Sequence, residues 1–281
     1  MKFTKMHGAG NDYIYVNGMK ESIADESAAA IKLSDRHFGI GGDGLIIIKK
    51  GTVADYEMVM YNADGSRGAM CGNGIRCVAK YLFDKGYTNG KTEFTVESMG
   101  AVKHITVIEK DCVAIGATVD MGKPILKSSE IPVKCDKEKC INEELTLDDR
   151  TFHMTCVSMG NPHAVMFIDE HPIDFDLERY GKIAESSTDI FPDRVNAEFA
   201  KVIDRKTVEM RVYERGAGET LACGTGTCAT VVAGILNGLL DNEVTVHLRG
   251  GDLKIEWSGN EEDSVIMTGP AEYAFTGEVE L

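Results

Sequence analysis

Cys71-Gly72-Asn73-Gly74 and Cys223-Gly224-Thr225-Gly226 are two copies of one motif, 152 residues apart. Each copy is followed by a helical pattern. After Cys71 the apolar residues Ile75, Val78, Ala79, Leu82 and Phe83 fall on one helical face. After Cys223 the same holds for Cys228, Val231, Val232, Ile235, Leu236 and Leu239. Both patterns reach a stop-type glycine 15 residues after the cysteine, at Gly86 and Gly238. Each half of the chain therefore puts a cysteine on a glycine-rich turn at a helix start. The open backbone N–H groups and the positive end of the helix dipole stabilise an anion there, either a thiolate or a bound carboxylate.

The duplication extends outward from the motif. Tyr61-Asn62 aligns with Tyr213-Glu214 at the same offset, Gly10-Asn11 with Gly160-Asn161 at 150, and Gly100-Ala101-Val102-Lys103 with Gly251-Asp252-Leu253-Lys254 at 151. Such constant offsets predict two similar halves, each one domain, related by an approximate two-fold axis. Equivalent sites would then face each other, with both cysteines in one cleft. That arrangement suits removal of a proton from one face of a carbon and return of a proton to the other. A purely structural reading makes the turns helix caps and the cysteines small packers. Packing alone, however, does not require cysteine at both equivalent helix starts.

At 281 residues the chain fits about two domains. Its 43% hydrophobic and 27% charged content is that of a globular protein able to bury a sizeable core. A net charge of −15 argues against nucleic acid or an acidic membrane as partner. No apolar segment follows Lys2 and Lys5 as a signal peptide requires, and no run approaches a membrane span. The eight cysteines are accordingly expected as reduced thiols in the cytoplasm.

Along the chain, residues 2–16 read as strand, turn and strand, and residues 21–37 as a helix. Gly39-Ile40-Gly41-Gly42-Asp43-Gly44 has dinucleotide-fingerprint spacing, but the strand-like Leu45-Ile46-Ile47-Ile48 follows it where a helix is required. Strands are expected at 56–61, 94–96 and 102–108. The second half repeats the order, with strands on either side of Gly160-Asn161-Pro162, a helix over 177–185, and a strand opening at Val195-Asn196-Ala197. Further strands are expected at 208–213, 244–248 and 253–257. Residues 225–238 carry no charge, so that helix should be buried with strands around it. The first helix carries Arg76, Lys80, Asp84 and Lys85 and should be less enclosed. The segment 121–150 has no counterpart in the duplication and connects the halves. Its Cys135 and Cys140, like Cys112 and Cys156, lack neighbouring ligands at metal-site spacing, so no metal is expected. Cys77 and Cys228 fall inside the helices as core residues.

These residues permit one chemistry in particular. The hydrogen on an amino-acid α-carbon is weakly acidic, and the carbanion left by its removal needs stabilising. No lysine stands in a setting for a pyridoxal Schiff base, so no cofactor is expected. Two helix N-termini could instead hold the carboxylate and the charge that develops beside it. A helix start also lowers the pKa of a cysteine from about 8.5. A thiolate and a thiol would form a coupled base–acid pair that exchanges roles when the reaction reverses.

The runs His7-Gly8-Ala9-Gly10-Asn11-Asp12, Tyr61-Asn62-Ala63-Asp64-Gly65-Ser66, Cys71-Gly72-Asn73-Gly74, Ser158-Met159-Gly160-Asn161-Pro162-His163, Arg194-Val195-Asn196-Ala197 and Glu214-Arg215-Gly216-Ala217-Gly218-Glu219-Thr220 through Cys223-Gly224-Thr225-Gly226 resemble the diaminopimelate epimerases over nearly the whole chain. The resemblance implies a cofactor-independent enzyme interconverting LL- and meso-diaminopimelate, on the route to lysine and bacterial cell wall. It implies an α/β (α+β) fold of two pseudo-symmetric domains, each a curled, mostly antiparallel sheet around a central helix. The first would span 1–118, completed by the strand 269–281, and the second 119–268. A homodimer is also implied. Cys71 and Cys223 become the acid/base residues, tuned by His163 and Glu214. Gly72, Asn73, Gly224 and Thr225 would hold the reacting carboxylate through backbone N–H groups. Asn11, Asn62, Asn161, Asn196, Glu214 and Arg215 would hold the substrate, with Arg215 forking the distal carboxylate. Gly44 departs from the pattern, standing where some members carry a substrate-contacting glutamine.

Two alternatives remain open. Another two-cysteine racemase, similar to proline racemase, would read Cys-Gly-His-Gly at the first motif, whereas Asn73 occupies the histidine position here. A thiol redox or metal-binding protein would use the same cysteines differently, and metal content and thiol count would separate it.

Overall fold

Leu45-Ile46-Ile47-Ile48 lacks the polar alternation of a surface strand. In the computed structural model, which describes residues 1–68 and 70–281, all four side chains are buried. A strand covered on both faces reads as a continuous apolar run. Leu45 and Ile47 pack with Ala29, Ala30 and Leu33 of a helix on one side. Ile46 points the other way, against Gly74 of a second helix.

The chain divides into two units, Met1–Asp120 with Thr268–Leu281, and Met121–Met267. The first holds β1 (Lys2–Gly8), β2 (Asn11–Asn17), α1 (Glu26–Ser34), β3 (Gly44–Lys50), β4 (Tyr56–Asn62), β5 (Arg67–Gly68), α2 (Gly72–Asp84), β6 (Glu93–Ser98) and β7 (Ala101–Lys110). β8 (Val113–Gly122) leads out of it. The second holds β9 (Glu143–Leu147), β10 (Arg150–Ser158), β11 (Pro162–Phe167), α3 (Leu177–Ser186), β12 (Asn196–Asp204), β13 (Thr207–Glu214), β14 (Gly218–Thr220), α4 (Gly224–Leu236), β15 (Glu243–Leu248) and β16 (Gly251–Glu256). β17 (Val265–Pro270) leads back to β18 (Glu272–Glu278) in the first unit.

Strand pairing repeats step for step. β1–β2, β3–β4, β4–β5 and β6–β7 are antiparallel, with β2–β3 and β4–β6 parallel. In the second unit β10–β11, β12–β13, β13–β14 and β15–β16 are antiparallel, with β11–β12 and β13–β15 parallel. β18 extends the first sheet by pairing with β1, and β9 extends the second by pairing with β10. The connecting segment thus holds a structural counterpart of the C-terminal strand that leaves no sequence trace. The fold is α/β (α+β), with each half a mostly antiparallel sheet around a central helix, α2 or α4. Among the described residues no helix is long and apolar enough to cross a membrane.

The central helices end as the sequence predicts, with Gly86 and Gly238 in the left-handed region at φ 75° and 70°. α1 is shorter than expected. Asp25 caps it by accepting from the Ala28 N–H, and Asp35 ends it by taking the N–H groups of His37 and Phe38. α4 is buried, as an uncharged helix should be. α2 corrects an expectation, because it is equally enclosed despite its charges. Arg76 is fully buried yet donates to Gly72 O, Asn73 Oδ1 and Pro270 O. Lys80 is buried with Asp84 at 2.9 Å and donates to Ala114 O. Charges are tolerated inside when every donor is met.

Candidate active site

The two motif cysteines are built alike. Cys71 is the N-cap of α2 at φ −127°, ψ 115°, and Cys223 is the N-cap of α4 at φ −116°, ψ 110°. Each sulfur accepts the N–H three residues on, from Gly74 at 3.3 Å and from Gly226 at 3.4 Å. Serine or aspartate usually takes this position, so each thiol does the work of a cap as well. Glycine at the donating residue lets a side chain of β3 or β12 lie against the helix start. A Cβ on Gly74 would lie 2.7 Å from Ile46 Cδ1, and one on Gly226 would lie 2.5 Å from Glu198 Oε1.

In the first half, Asn11 and Asn73 gather at Cys71. The thiol donates to Asn11 Oδ1 at 3.1 Å, which also takes Asn73 Nδ2 at 3.4 Å. Asn11 Nδ2 donates to Asp43 Oδ2 at 2.6 Å, and Asp43 is held in turn by Arg36 at 2.8 Å. Tyr13 stands beside Cys71 and Asn11, where burial, then Cys71 and Asp43, push its phenol far up and keep it protonated. Gly72 and Asn73 form the first turn of α2. Asn62 ends β4, and its Nδ2 donates to Ser66 Oγ at 3.0 Å across the hairpin. Gly44 opens β3 opposite Asn62. A Cβ there would lie 2.1 Å from Tyr61 O and 2.9 Å from Tyr13 Cε1, so the position has no room for a side chain.

In the second half, Thr225 Oγ1 lies 3.5 Å from the Cys223 sulfur, and Gly224 and Thr225 begin α4. His163, fully buried, spans Glu198 Oε1 at 2.7 Å through Nδ1 and Asn161 Oδ1 at 3.1 Å through Nε2. Glu214 accepts from Thr220 Oγ1. Asn196 Oδ1 accepts the backbone N–H of Arg215 at 2.8 Å, and its Nδ2 donates to Pro162 O at 3.2 Å. The Arg215 guanidinium is exposed and donates to Asp193 O at 2.9 Å. Buried Glu185 accepts the Gly216 N–H at 3.0 Å and pairs with Arg194, which secures the turn after Arg215.

The expectation that a helix start lowers the thiol pKa fails at Cys223. Burial pushes this thiol well up, and the Glu214 and Glu198 carboxylates add to the effect. The Thr225 and Gly226 hydrogen bonds act the other way and are outweighed. The desolvation cost of a thiolate exceeds what one turn of helix returns. Burial and the two carboxylates thus oppose a thiolate at Cys223.

Tyr13, Asp43, Glu185 and Glu198 are the neighbours that motif reading misses. For two of them the repeat held a signal. The 150-residue offset that aligns Asn11 with Asn161 also aligns Tyr13 with His163, and the 152-residue offset aligns Ile46 with Glu198. Among the described residues no group of three His, Cys, Asp or Glu side chains is placed to hold a metal ion.

Two like halves, each a mostly antiparallel sheet around a central helix, give this chain the fold of the PhzF-family and proline racemase-like proteins. The chain superposes on a Bacillus anthracis phenazine biosynthesis protein of the PhzF family with TM-score 0.73, covering 100% of this chain and 99% of that one at 14% identity. It matches a probable proline racemase from Agrobacterium radiobacter with TM-score 0.71, covering 100% and 93% at 13% identity. At such identities the likeness concerns the fold alone. The chain belongs to the diaminopimelate epimerase family, whose profile matches residues 3–127 and 155–274. It is 54% identical to the diaminopimelate epimerase of Acetivibrio thermocellus, over 100% of this chain and 99% of that protein. It is 51% identical to that of Agathobacter rectalis, over 100% of both.

Proposed function

We propose that the chain is a cofactor-independent epimerase that interconverts LL- and meso-diaminopimelate by two-base chemistry, with Cys71 and Cys223 as the two acid/base residues. The observation that carries this is the matched pair of helix-capping cysteines in a member of this family. One thiol gives its proton to the α-carbon while the other sulfur takes the opposite proton, and the roles exchange in reverse. First-turn N–H groups at Gly72, Asn73, Gly224 and Thr225 hold the carboxylate and the charge that develops next to it. Asn11, Asn62, Asn161 and Glu214 hold the substrate. Arg215 forks the distal carboxylate, and Asn196 acts by holding the Arg215 backbone. Glu214 and His163 tune the thiols. We place the enzyme in the cytoplasm as a homodimer, serving lysine and cell-wall precursor synthesis, with no nucleic-acid or membrane partner.

The test is turnover of LL-diaminopimelate to the meso form after exhaustive dialysis against chelator and treatment with hydroxylamine. Undiminished turnover is expected. Loss of activity restored by a metal ion or by pyridoxal phosphate would contradict the proposal.

A further inference from the structure

The internal repeat supplies its own control for each buried side chain. In the first half Tyr13 pairs with Gly44 across parallel strands, and in the second half His163 pairs with Asn196 in the same register. Two residues on, Ile46 lies opposite Met60, and Glu198 lies opposite Val212. Ile46 packs against Gly74 in the first turn of α2, and Glu198 packs against Gly226 in the first turn of α4. An apolar side chain thus satisfies this position in one half. The other half carries a fully buried carboxyl group with one oxygen on His163 Nδ1. A buried ionisable side chain is costly where an isoleucine would pack. Its purpose is not filling space.

Hydrogen-bond logic assigns the purpose. Full burial of both side chains favours a net-neutral His163–Glu198 pair, in which Nε2 keeps its proton and meets Asn161 Oδ1 at 3.1 Å. A single proton then lies between Nδ1 and Glu198 Oε1, and the pair is neutral whichever atom holds it. With its oxygen taken by His163, the Asn161 amide has its NH₂ group to offer. The first half is wired the opposite way. Asp43 takes Asn11 Nδ2, and the oxygen of that amide faces Cys71. Equivalent asparagines therefore present an acceptor in one half and a donor in the other. The ionisable groups around Glu198 are His163 on β11, Cys156 on β10, Glu214 on β13 and Cys223 at the start of α4. Of these, His163 is the one it hydrogen-bonds.

We propose that Glu198 is a positioning residue for specificity, one that fixes the Nε2–H form of His163 and so turns the Asn161 amide to present its NH₂ to a substrate carboxylate. This rests on the epimerase reading for the substrate, while the wiring itself does not depend on it.

The test uses the full chain labelled with ¹⁵N-histidine, without substrate, with the His163 signal assigned from its loss in His163→Gln. The native ring should show a protonated Nε2, and an unprotonated Nε2 in the native chain would overturn the proposal outright. Glu198→Ile, which copies Ile46, should leave a mixture of ring tautomers. It should raise KM for diaminopimelate about tenfold with a smaller change in kcat. Glu198→Gln can still satisfy Nδ1 by donating to it, and should retain the Nε2–H signature and most of the native KM. Equal losses in both variants, or a native ring spectrum and KM in Glu198→Ile, would also overturn it. If Glu198→Ile fails to fold, the native spectrum and the Glu198→Gln kinetics still decide. A native chain with the predicted spectrum but no turnover of diaminopimelate would sink the substrate reading and leave the wiring intact.

Discussion

Asn11 is clamped from behind by Asp43. Its Nδ2 donates to Asp43 Oδ2 at 2.6 Å, which leaves Oδ1 facing the Cys71 sulfur at 3.1 Å. A carboxylate accepts only, so it dictates which end of the amide meets the thiol. Asp43→Ala removes that instruction and frees the amide to rotate. A charge-assisted hydrogen bond of this kind contributes about 1.5–3 kcal/mol, so kcat/KM should fall by about one to two orders of magnitude. Steady-state kinetics check this. Native kinetics in Asp43→Ala would mean that the clamp is idle.

Cys223 should titrate as an unusually weak acid. Burial first, then Glu214 and Glu198, hold its proton, so the thiolate appears only at a pH well above that of an ordinary thiol. Iodoacetamide labelling resolved by peptide mass mapping should give Cys223 a pH midpoint above the ordinary value of about 8.5. The midpoint reads titration and is independent of access. A Cys223 midpoint at or below the ordinary value would show that burial and the two carboxylates do not oppose the thiolate there.

Arg215 should carry discrimination at the far end of the substrate. Its backbone is pinned by Asn196 at 2.8 Å, and Glu185 secures the following glycine at 3.0 Å. Arg215→Met should lower kcat/KM for diaminopimelate by about one to two orders of magnitude. Lysine at this position should rescue only part, since it offers a point charge without the fork. Lysine offered as a substrate, which lacks the distal carboxylate, should react poorly with the native enzyme and lose little more in the variant. Normal turnover of diaminopimelate by Arg215→Met would remove the distal clamp from the account.

Gly44 leaves no room for glutamine. A Cβ there meets the Tyr61 carbonyl at 2.1 Å and the Tyr13 ring at 2.9 Å, and backbone cannot yield as a side-chain tip does. Gly44→Gln should destabilise the fold by about 1–3 kcal/mol and gain no substrate affinity. Thermal melts and KM together test this. A stable variant with a lower KM would show that the position is open to a side chain.

The repeat made most of the fold readable, because one strand–helix order serves twice and the motif cysteines fix the register between copies. Leu45-Ile46-Ile47-Ile48 could be read as a strand because a short run of isoleucines suits a pleated, buried strand. β9 could not be matched to β18, because a strand that adds to an edge needs only backbone pairing and alternation, and no particular residues. The charges on α2 misled for a related reason. Charge marks a surface only until Arg76 finds three oxygens inside. At the site, residues within the motifs were visible, while Glu198 and Glu185 act through a neighbour's ring or a backbone N–H and carry no motif of their own. The thiol was misjudged at Cys223 because sequence reveals a helix start but not how dry its surroundings are.

Two-base inversion at Cys71 and Cys223 is tested most directly by incubating LL-diaminopimelate with the enzyme in D₂O and following the α-proton by NMR. A thiol on one face and a sulfur base on the other predict that the meso product acquires solvent deuterium at the inverted carbon. The remaining LL substrate should keep its hydrogen in the early phase, and Cys71→Ala and Cys223→Ala should each form no product. Product that retains the substrate hydrogen, or a Cys71→Ala enzyme that keeps most of its rate, would contradict the mechanism.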